Sequence, residues 1–534
     1  MKKKSREERK FSTKRLYIFA TIVFVLTAIL LVGIRTNKLP LGIKGEWEWR
    51  YIKDPLSLRE AAIPLALIAL LLFLVVIFMR GFEKRSKKQE ALFLTLLFII
   101  SLVFQLSLTS LITEGLQQFP AVIYFPFISG YFTQADTEIK DLGQFLGNYD
   151  VYIARLPEGH LGAHPPGLAI YYWSLINLYK KSPGLARGVV SLVGEKFDRI
   201  FQEIERGSGG VKIGDPQRAA IWTAILLAVL AVASTPILLY LLARGISDKK
   251  SALFAAAFTS FLPGLFLFFP RADVLFPAIA ITIFLLTLEA LRRESLVWGF
   301  FAGLVFFLGA MLRLSFLVVS ALVVFYLLLK LLSTFGEGKA AAGRLLRSWI
   351  KPAVGILIGF FLLIIILKFV TDFKAFKVWR VCYGRQSPLT SGIQRTWWKW
   401  MLYSPFEFAA FLGIPISALF LRRLIFDSHR SLLHIGRSTT SGGRSTSGGL
   451  AWRPEEAYLL SFIITILLLY FSGKSLSEVG RLWIFLMPFA TIPAVGALRE
   501  FGRRGDFLLL FSLALQGVQV IFLKTYLNVL FIIS

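Results

Sequence analysis

Long runs of apolar residues, separated by short polar and mostly basic stretches, recur along the chain from residue 17 to residue 523. Runs of about 17–25 residues have the length that crosses a hydrocarbon core as an α-helix. The pattern therefore predicts an all-α polytopic membrane protein with about 13 transmembrane helices. We expect them at residues 17–34, 60–79, 91–113, 219–243, 251–269, 273–291, 296–312, 314–332, 353–371, 405–421, 457–473, 482–498 and 507–523.

The basic residues orient these spans. With the N-terminal MKKKSREERK in the cytoplasm, basic stretches such as GFEKRSKKQE, ARGISDKK and REFGRRGD fall inside, and the external turns carry few cations. This matches the positive-inside rule and predicts a multi-pass protein of the cytoplasmic (plasma) membrane with a cytoplasmic N-terminus. The first run has no clean small-residue cleavage site, so we interpret it as a retained span; an uncleaved signal anchor has the same pattern.

One short apolar run decides the topology of the first half. If Leu168–Tyr179 crossed the membrane, every later basic connection would face outward, and the run is short for a span. We therefore expect it to lie in the external interface or to re-enter from it. Residues 114–218 then form one large external loop that bears juxtamembrane helices.

The same pattern divides the chain into five regions. We expect a two-span hairpin with an external aromatic loop at 1–90, a core at 91–333 that includes the loop 114–218, and further spans at 334–427 with an external Trp-rich and basic loop at 372–404. Residues 428–455 contain a run rich in Ser, Thr and Gly and predict a disordered cytoplasmic linker. The C-terminal spans occupy 456–534.

Composition changes the interpretation of the charge. Hydrophobic residues make up 56% of the chain, and 60 Lys and Arg against 32 Asp and Glu give a formal charge of +28. In a soluble protein this charge would favour nucleic acid, but here the cations punctuate apolar spans, so the expected partners are membrane lipids and no nucleic acid. The single cysteine, Cys382, excludes an intramolecular disulfide and a multi-cysteine metal site.

The segment RLPEGHLGAHPPG, residues 155–167, carries candidate chemistry in the external loop. Prolines favour a first helical turn, so a helix should begin at Pro165–Pro166 and continue through LAIYYWSLINLYKK. A helix N-terminus favours anions such as phosphate, and His164 would add a donor there. The alternative is that HPPG is a rigid turn that His164 merely caps, and His160 is the weaker candidate of the two histidines.

Three motifs together resemble membrane glycosyltransferases of the C type (GT-C), which include protein O-mannosyltransferases and aminoarabinose transferases. The loop that ends in HPPG before a Tyr- and Trp-rich helix is the most specific motif. FFPRADVLFP resembles the second acidic loop of the superfamily, with Arg271 and Asp273, and GKSLSEVGRLWIFLMP resembles a late external turn, with Glu478 and Arg481. The resemblance implies a many-span transferase whose donor is a polyprenyl-phosphate-linked sugar.

The resemblance also implies an acidic motif in the first external loop, where family members often carry two adjacent acidic residues. Here FISGYFTQADTEIKDLGQFLGNYD has no such pair, so Asp136 is the best candidate for the catalytic carboxylate, followed by Glu138 and Asp141. The alternative for Asp136 is a solvated or helix-capping carboxylate.

Four cationic or imidazole side chains are candidates for binding the donor phosphate: His164, Arg271, Arg313 and Arg481. Arginine suits this role because its guanidinium fork matches phosphate oxygens in pairs. Ordinary interfacial arginines that snorkel toward water are the alternative.

Other candidates are Asp273, Glu478, Trp47 and Glu48. Asp273 could cap a helix or contribute to a divalent-cation site, although no ligand spacing argues strongly for a metal. Trp47 and Glu48 lie in GEWEWRY, where aromatic faces could stack on a sugar; anchoring at the membrane edge is the alternative, as for the Trp cluster at 397–400.

The sequence thus predicts a glycosyltransferase that uses a polyprenyl-phosphate sugar and acts on a lipid, glycan or protein at the external face. The alternative is a transporter or flippase of a charged lipid or glycolipid, and a third possibility is an inactive scaffold with the same fold. A transporter should carry ionisable residues near mid-membrane, whereas the polar motifs here gather at the outer ends of the spans, which favours the enzyme.

Overall fold

The computed structural model describes residues 2–52, 56–112, 115–156, 161–194, 197–391, 395–433 and 452–530. The α-helices in these ranges are α1 (Lys2–Arg35), α2 (Leu58–Met79), α3 (Lys87–Ser107), α4 (Phe119–Tyr124), α5 (Tyr131–Thr137), α6 (Leu142–Gly147), α7 (Tyr149–Arg155), α8 (Gly167–Lys181), α9 (Pro183–Val193), α10 (Asp198–Gly207), α11 (Asp215–Arg244), α12 (Lys249–Thr259), α13 (Pro263–Leu267), α14 (Phe276–Arg292), α15 (Leu296–Leu312), α16 (Phe316–Glu337), α17 (Lys339–Thr371), α18 (Ala375–Ser391), α19 (Trp397–Leu412), α20 (Ile414–Leu433), α21 (Pro454–Phe471), α22 (Val479–Leu482), α23 (Met487–Gly496) and α24 (Gly505–Tyr526).

Short 3₁₀ turns and four two-residue strands complete the structure of the described ranges. The 3₁₀ turns lie at Phe82–Lys84, Leu108–Leu111, Gly115–Gln118, Leu161–Ala163, Ala272–Leu275, Ile484–Leu486 and Ala497–Arg504. Strand β1 (Gly42–Ile43) pairs antiparallel with β2 (Trp47–Glu48), and β3 (Arg50–Tyr51) pairs antiparallel with β4 (Leu527–Asn528). The second pair joins the segment between α1 and α2 to the segment that follows α24.

The all-α polytopic architecture is confirmed. Within the described residues, 11 helices are long and apolar enough to cross a membrane, or 12 if the bent pair α19–α20 counts as one span. The remaining predicted span, at 296–312, corresponds to α15, an apolar helix of 17 residues. It packs closely along α17 through facing small residues, a common arrangement between membrane helices; these are Gly299, Gly303, Gly355 and Gly359.

The span predicted at 405–421 is broken in the middle. Helices α19 and α20 meet at 120°, because Gly413 adopts a left-handed φ of 104° between them. The backbone groups freed by this break are buried, and α24 satisfies them: the Gln516 and Gln519 amides donate to the carbonyls of Leu412 and Ala410, each at 2.8 Å. Helix α20 continues to Leu433, into the region predicted as a linker, and the rest of that prediction, 434–451, lies outside the described residues.

Ion pairs join the helix ends on the side that the charge pattern predicts to be cytoplasmic. A charge at the edge of a membrane is costly unless it is paired or hydrated, so these contacts also fix how the helix ends are arranged. They include Arg499 with Glu455 (2.6 Å), Lys249 with Glu90 (2.6 Å), Lys250 with Asp506 (2.7 Å) and Arg422 with Glu500 (2.7 Å).

The loop between α3 and α11 forms a layer of short helices, α4 to α10, over the opposite ends of the spans. The short run 168–179 is part of α8, which begins at Gly167 after Pro166 and packs against α5, α11 and α15. It is amphipathic: Tyr172, Ile176 and Tyr179 are buried, whereas Leu178 is exposed. Helix α18 covers the same layer from the other side and contacts α7 and the turn Leu161–Ala163.

Candidate functional site

The HPPG segment is anchored from two sides. The buried Tyr149 hydroxyl of α7 donates a hydrogen bond to the His164 carbonyl at 2.9 Å. Behind it, Gly167 touches the end of α15 so closely that a Cβ there would lie 2.4 Å from the Met311 carbonyl oxygen. The His164 side chain is buried, and its ring lies 6.2 Å from that of Tyr131. The fold therefore holds His164 next to the residue that follows α15, Arg313.

The predicted phosphate-binding residues converge. A small cavity of about 20 Å³ is lined by residues from five separate parts of the chain, among them Tyr131, His164, Arg271, Asp273, Arg313 and Arg481. Arg313 and Asp273 form an ion pair at 3.0 Å, and the Arg271 guanidinium donates to the Leu530 carbonyl at 3.1 Å. From Tyr131 to Arg481 these residues span 350 positions of the sequence, so only the fold brings them together.

A larger cavity of about 530 Å³ adjoins the small one and shares His164, Arg313 and Arg481 with it. One part of its wall is polar and the other is apolar. The polar part includes Ser315, Tyr383, Arg395, Lys474, Ser475, Ser477 and Glu478. The apolar part comes from the spans α16 and α21 and includes Leu317, Val318, Ala321, Leu468 and Leu469. Leu317 and Leu468 are about half exposed on the surface of the helix bundle, so this part of the wall continues onto a face that a membrane would cover.

Burial and mutual repulsion dominate the electrostatics of the arginines. Burial lowers the pKa of Arg271, and the neighbouring Arg481 lowers it further, whereas Asp273 opposes both. Burial likewise lowers the pKa of Arg313, against the attraction of Asp273. The pKa of Arg481 is raised instead, because its ion pair with Glu478 and the nearby Asp273 outweigh the effect of burial. Crowded, buried guanidinium groups of this kind stabilise a bound anion strongly.

Tyr131 lines the small cavity at the first turn of α5, and burial raises its pKa far above the ordinary value of 10.0. The hydroxyl is therefore protonated at neutral pH and is a hydrogen-bond donor. Nothing in the spacing of the sequence singled Tyr131 out. Tyr149, which orients the HPPG segment, was missed for the same reason.

The three carboxylates predicted to be catalytic lie away from both cavities. Asp136 accepts hydrogen bonds from Lys180 at 3.3 Å and from Gln217 at 3.2 Å. Glu138 is exposed at the end of α5, and Asp141 caps α6 by accepting from the amide of Gln144. None of the three is among the residues that line either cavity. Their catalytic role remains a prediction.

Two other candidate carboxylates do line the cavities: Asp273 lines the small one and Glu478 the large one. Asp273 does not cap α14; it lies in the 3₁₀ turn Ala272–Leu275 with its side chain toward Arg313. Among the described residues no group of three or more His, Cys, Asp and Glu side chains could hold a metal ion. A metal-binding role for Asp273 remains a prediction.

The aromatic motif between α1 and α2 meets α19 rather than the cavities. The Glu46 carboxylate accepts hydrogen bonds from the Thr396 backbone amide and hydroxyl, Lys399 and the Trp400 indole. The Trp47 ring packs edge-on to Trp49, and Glu48 is exposed. A sugar-binding role for Trp47 and Glu48 remains a prediction, and His160 lies outside the described residues.

A buried carboxylate links the segment between α1 and α2 to the turn that carries Arg481. Glu407 of α19 is fully buried and accepts hydrogen bonds from the Trp49 indole at 2.9 Å and from the Gly480 amide at 3.2 Å. Gly480 follows Glu478, which adopts the left-handed backbone region. The sequence did contain a signal for this residue. A single glutamate within the apolar run FEFAAFLG is destabilising unless its carboxylate accepts hydrogen bonds or forms an ion pair.

The fold and the site define a multi-pass membrane protein with a basic, partly apolar cavity at one end of its helix bundle. Residues 212–368 match the family model described as dolichyl-phosphate-mannose-protein mannosyltransferase. This segment runs from the start of α11 into α17 and contains Arg271, Asp273 and Arg313. A comparison with curated proteins found no match. The family match confirms the resemblance to GT-C membrane glycosyltransferases.

Proposed function

We propose that the protein transfers a sugar from a polyprenyl-phosphate-linked donor to an acceptor at the external face of the cytoplasmic membrane. The observation that supports this most strongly is the shape of the larger cavity, which has basic residues at one part of its wall and membrane-facing apolar residues at the other. A polyprenyl phosphate likewise has a negatively charged phosphate at one end and an apolar chain at the other. The family match to residues 212–368, whose description names a dolichyl-phosphate-linked mannose, supports the same class of donor.

In this proposal the donor phosphate lies against His164, Arg313 and Arg481, which both cavities share, with Arg271 behind them. The polyprenyl chain follows the apolar wall between α16 and α21. The arginines would then stabilise the charge that grows on the phosphate as it leaves, which is where preorganised donors contribute most to catalysis. His164 and the protonated Tyr131 add hydrogen-bond donors at the same place.

The reaction is a displacement at the anomeric carbon. The acceptor oxygen forms a bond to that carbon, the bond from the carbon to the phosphate oxygen breaks, and its electron pair leaves with the polyprenyl phosphate. The proton of the acceptor hydroxyl passes to a carboxylate. We assign this base to Asp273 or Glu478, because both line the cavities, and we retain Asp136 as the competing assignment from the sequence.

The external location rests on the charge pattern. The ends of the bundle opposite the site carry a group of paired arginines and lysines, such as Arg499, Lys249 and Lys250. The positive-inside rule assigns that side to the cytoplasm and the site to the exterior.

A transfer assay with purified protein in nanodiscs tests the proposal. Labelled polyprenyl-phosphate sugars are supplied with membrane lipids, cell-wall glycans or proteins as acceptors, and the glycosylated product and released polyprenyl phosphate are measured together. We expect turnover by the wild type and a loss of at least about 100-fold in Asp273→Asn or Glu478→Gln, the size expected for a general base.

Two controls locate the base and exclude the alternative. Collapse of turnover in Asp136→Asn with normal Asp273→Asn and Glu478→Gln would return the base to the sequence assignment. Lys181→Gln, an exposed substitution at the end of α8, should leave turnover unchanged. If no donor is consumed while a labelled lipid crosses the membrane of reconstituted vesicles, the protein is a flippase and the proposal is wrong.

A further inference from the structure

The proposed donor carries a sugar as well as a phosphate, and the sizes of the two cavities decide where the sugar can lie. The small cavity, at about 20 Å³, has room for about one water molecule. The larger cavity, at about 530 Å³, falls within the range of ordinary ligand pockets, roughly 300–1,000 Å³. With the phosphate at the residues that both cavities share, the sugar therefore lies in the larger cavity.

Trp483 places a hydrogen-bond donor in the wall of the larger cavity. Its side chain is 3% exposed, and its ring packs against that of Phe408 with the centroids 5.8 Å apart. The indole nitrogen is buried, and no acceptor among the described residues bonds to it. An indole N–H can only donate, and buried donors without a partner are rare in native proteins. A bound ligand that offers an acceptor would satisfy it.

Ser315 places a second polar group in the same wall. It directly precedes α16, where a serine oxygen commonly accepts a hydrogen bond from an amide of the first helical turn. Here the Val318 amide bonds to the Ser315 carbonyl at 3.0 Å instead, and the buried hydroxyl oxygen has no partner within the described ranges. Ser315 lines the larger cavity, and its hydroxyl can both donate to a ligand and accept from it.

The segments that carry these two residues touch each other. Phe316 is next to Ser315, and Phe485 is two positions after Trp483. The ring centroids of Phe316 and Phe485 lie 6.3 Å apart. The start of α16 and the turn that follows α22 therefore meet, and they bring the two polar groups to the same cavity.

The chemistry of these groups differs from that of the proposed phosphate site beside them. Ser315 follows Arg313 by two positions, and Trp483 follows Arg481 by two. Both arginines line both cavities, whereas Ser315 and Trp483 line only the larger one. Phosphate oxygens bond most strongly to charged donors such as guanidinium groups. An indole and a hydroxyl are neutral and match the hydroxyl groups of a sugar, which also donate and accept.

We propose that Ser315 and Trp483 form a sugar-binding subsite of the larger cavity, in which the Trp483 indole donates to a sugar oxygen and the Ser315 hydroxyl bonds to a sugar hydroxyl group. The inference rests on the proposed function, because it assumes that the donor phosphate lies at Arg313 and Arg481. The phosphate is attached at the anomeric carbon, so the sugar oxygens within reach are those close to that carbon. The donor sugar must then carry unsubstituted hydroxyl groups there.

A binding experiment with the protein in nanodiscs of neutral lipid tests this, with probes that differ only in the sugar. The reference probe is undecaprenyl methyl phosphate, a phosphodiester without a sugar, and the sugar probes are the undecaprenyl phosphate esters of mannose, glucose and arabinose. Trp483→Phe keeps an aromatic ring and removes the N–H, and Ser315→Ala removes the hydroxyl. Trp379→Phe is the matched control, because the buried Trp379 indole nitrogen also has no partner among the described residues but lines neither cavity.

We expect the wild type to bind at least one sugar probe more tightly than the methyl phosphate. Trp483→Phe and Ser315→Ala should each reduce that preference by roughly 2–10-fold, the range for one neutral hydrogen bond, and leave the affinity for the methyl phosphate unchanged. Trp379→Phe should keep both affinities. If Trp483→Phe does not fold, Ser315→Ala tests the inference alone, because its hydroxyl makes no hydrogen bond to the described part of the chain.

Three results would overturn the inference. Equal losses of affinity for the sugar probe and the methyl phosphate would place the contacts at the phosphate. An unchanged preference in both variants would show that neither side chain contacts the sugar. A wild type that binds no sugar probe more tightly than the methyl phosphate would show that the sugar gains nothing from the cavity. If the wild type binds none of these probes and does not bind undecaprenyl phosphate either, the proposed function itself fails.

Discussion

Gly167, the last residue of the HPPG motif, holds the motif against Arg313, and its replacement by alanine should disturb both stability and function. A Cβ at this position would lie 2.4 Å from the Met311 carbonyl oxygen and 2.8 Å from the Leu312 amide nitrogen. Ordinary contacts begin near 3.4 Å, so the backbones of α8 and α15 must separate by about 1 Å, the difference between 3.4 and 2.4 Å. Both atoms belong to backbone and cannot rotate away.

Two effects set the size of the stability change. Overpacking of this kind costs about 1–3 kcal/mol. The better helix propensity of alanine returns at most about 1 kcal/mol, and less at the first position of a helix. We therefore expect Gly167→Ala to lower the free energy of unfolding by about 1–2 kcal/mol. A displacement of about 1 Å between His164 and Arg313 should also lower turnover by about 100-fold.

The assay compares thermal unfolding of the purified protein with binding of undecaprenyl phosphate and turnover. Gly188→Ala is the matched control, because Gly188 lies within α9 and a Cβ there would meet nothing within 4 Å. This control should be as stable as the wild type or more stable, with unchanged turnover. A Gly167→Ala protein with normal stability and normal turnover would refute the claim that close contact with α15 positions the motif.

Three further substitutions test single contacts. Tyr149→Phe removes the hydrogen bond to the His164 carbonyl, so it should lower the free energy of unfolding by about 1 kcal/mol and weaken the binding of undecaprenyl phosphate. Unchanged binding would show that this contact does not position the motif. Glu407→Ala leaves two buried donors without an acceptor, at about 1–3 kcal/mol each, and should lower Tm more than Glu407→Gln, which keeps one acceptor oxygen; equal effects would contradict this. Burial acts to raise the pKa of Glu46, but its four hydrogen bonds outweigh it and hold the pKa at about 2, below the ordinary 4.5. Its contribution to stability is therefore present above pH 4.5 and is lost as the pH falls toward 2, and Glu46→Gln should flatten Tm in that window; an unaltered pH profile would refute the role.

The spans could be predicted from the sequence because a membrane helix needs only a long apolar run. The break at Gly413 could not, since it depends on Gln516 and Gln519, about 100 residues later, which satisfy the exposed backbone. An isolated run of residues gives no information about such partners. The same limit applied to α17, whose helix begins in a basic stretch at Lys339, well before the apolar run.

The site was predictable where charge and membrane position act together. Arg271, Arg313 and Arg481 each stood out as cations at the outer ends of spans, and the structure brings them together with His164. The carboxylates were harder to rank, because the sequence does not distinguish an Asp or Glu on the surface from one that lines a cavity. Asp136 forms hydrogen bonds with Lys180 and Gln217, which lie 44 and 81 positions later in the sequence, so no local spacing could indicate these partners.

The account depends most on one lipid occupying the larger cavity, with its phosphate at Arg313 and its chain between α16 and α21. Photo-crosslinking with an undecaprenyl phosphate that carries a photoreactive group on its first isoprene units tests this directly, with the modified residues located by mass spectrometry. We expect adducts on residues 317–321 and 465–469, competed by unlabelled undecaprenyl phosphate and lost in Arg313→Gln. Adducts spread over the outer surface of the bundle, insensitive to competitor and to Arg313→Gln, would contradict the account.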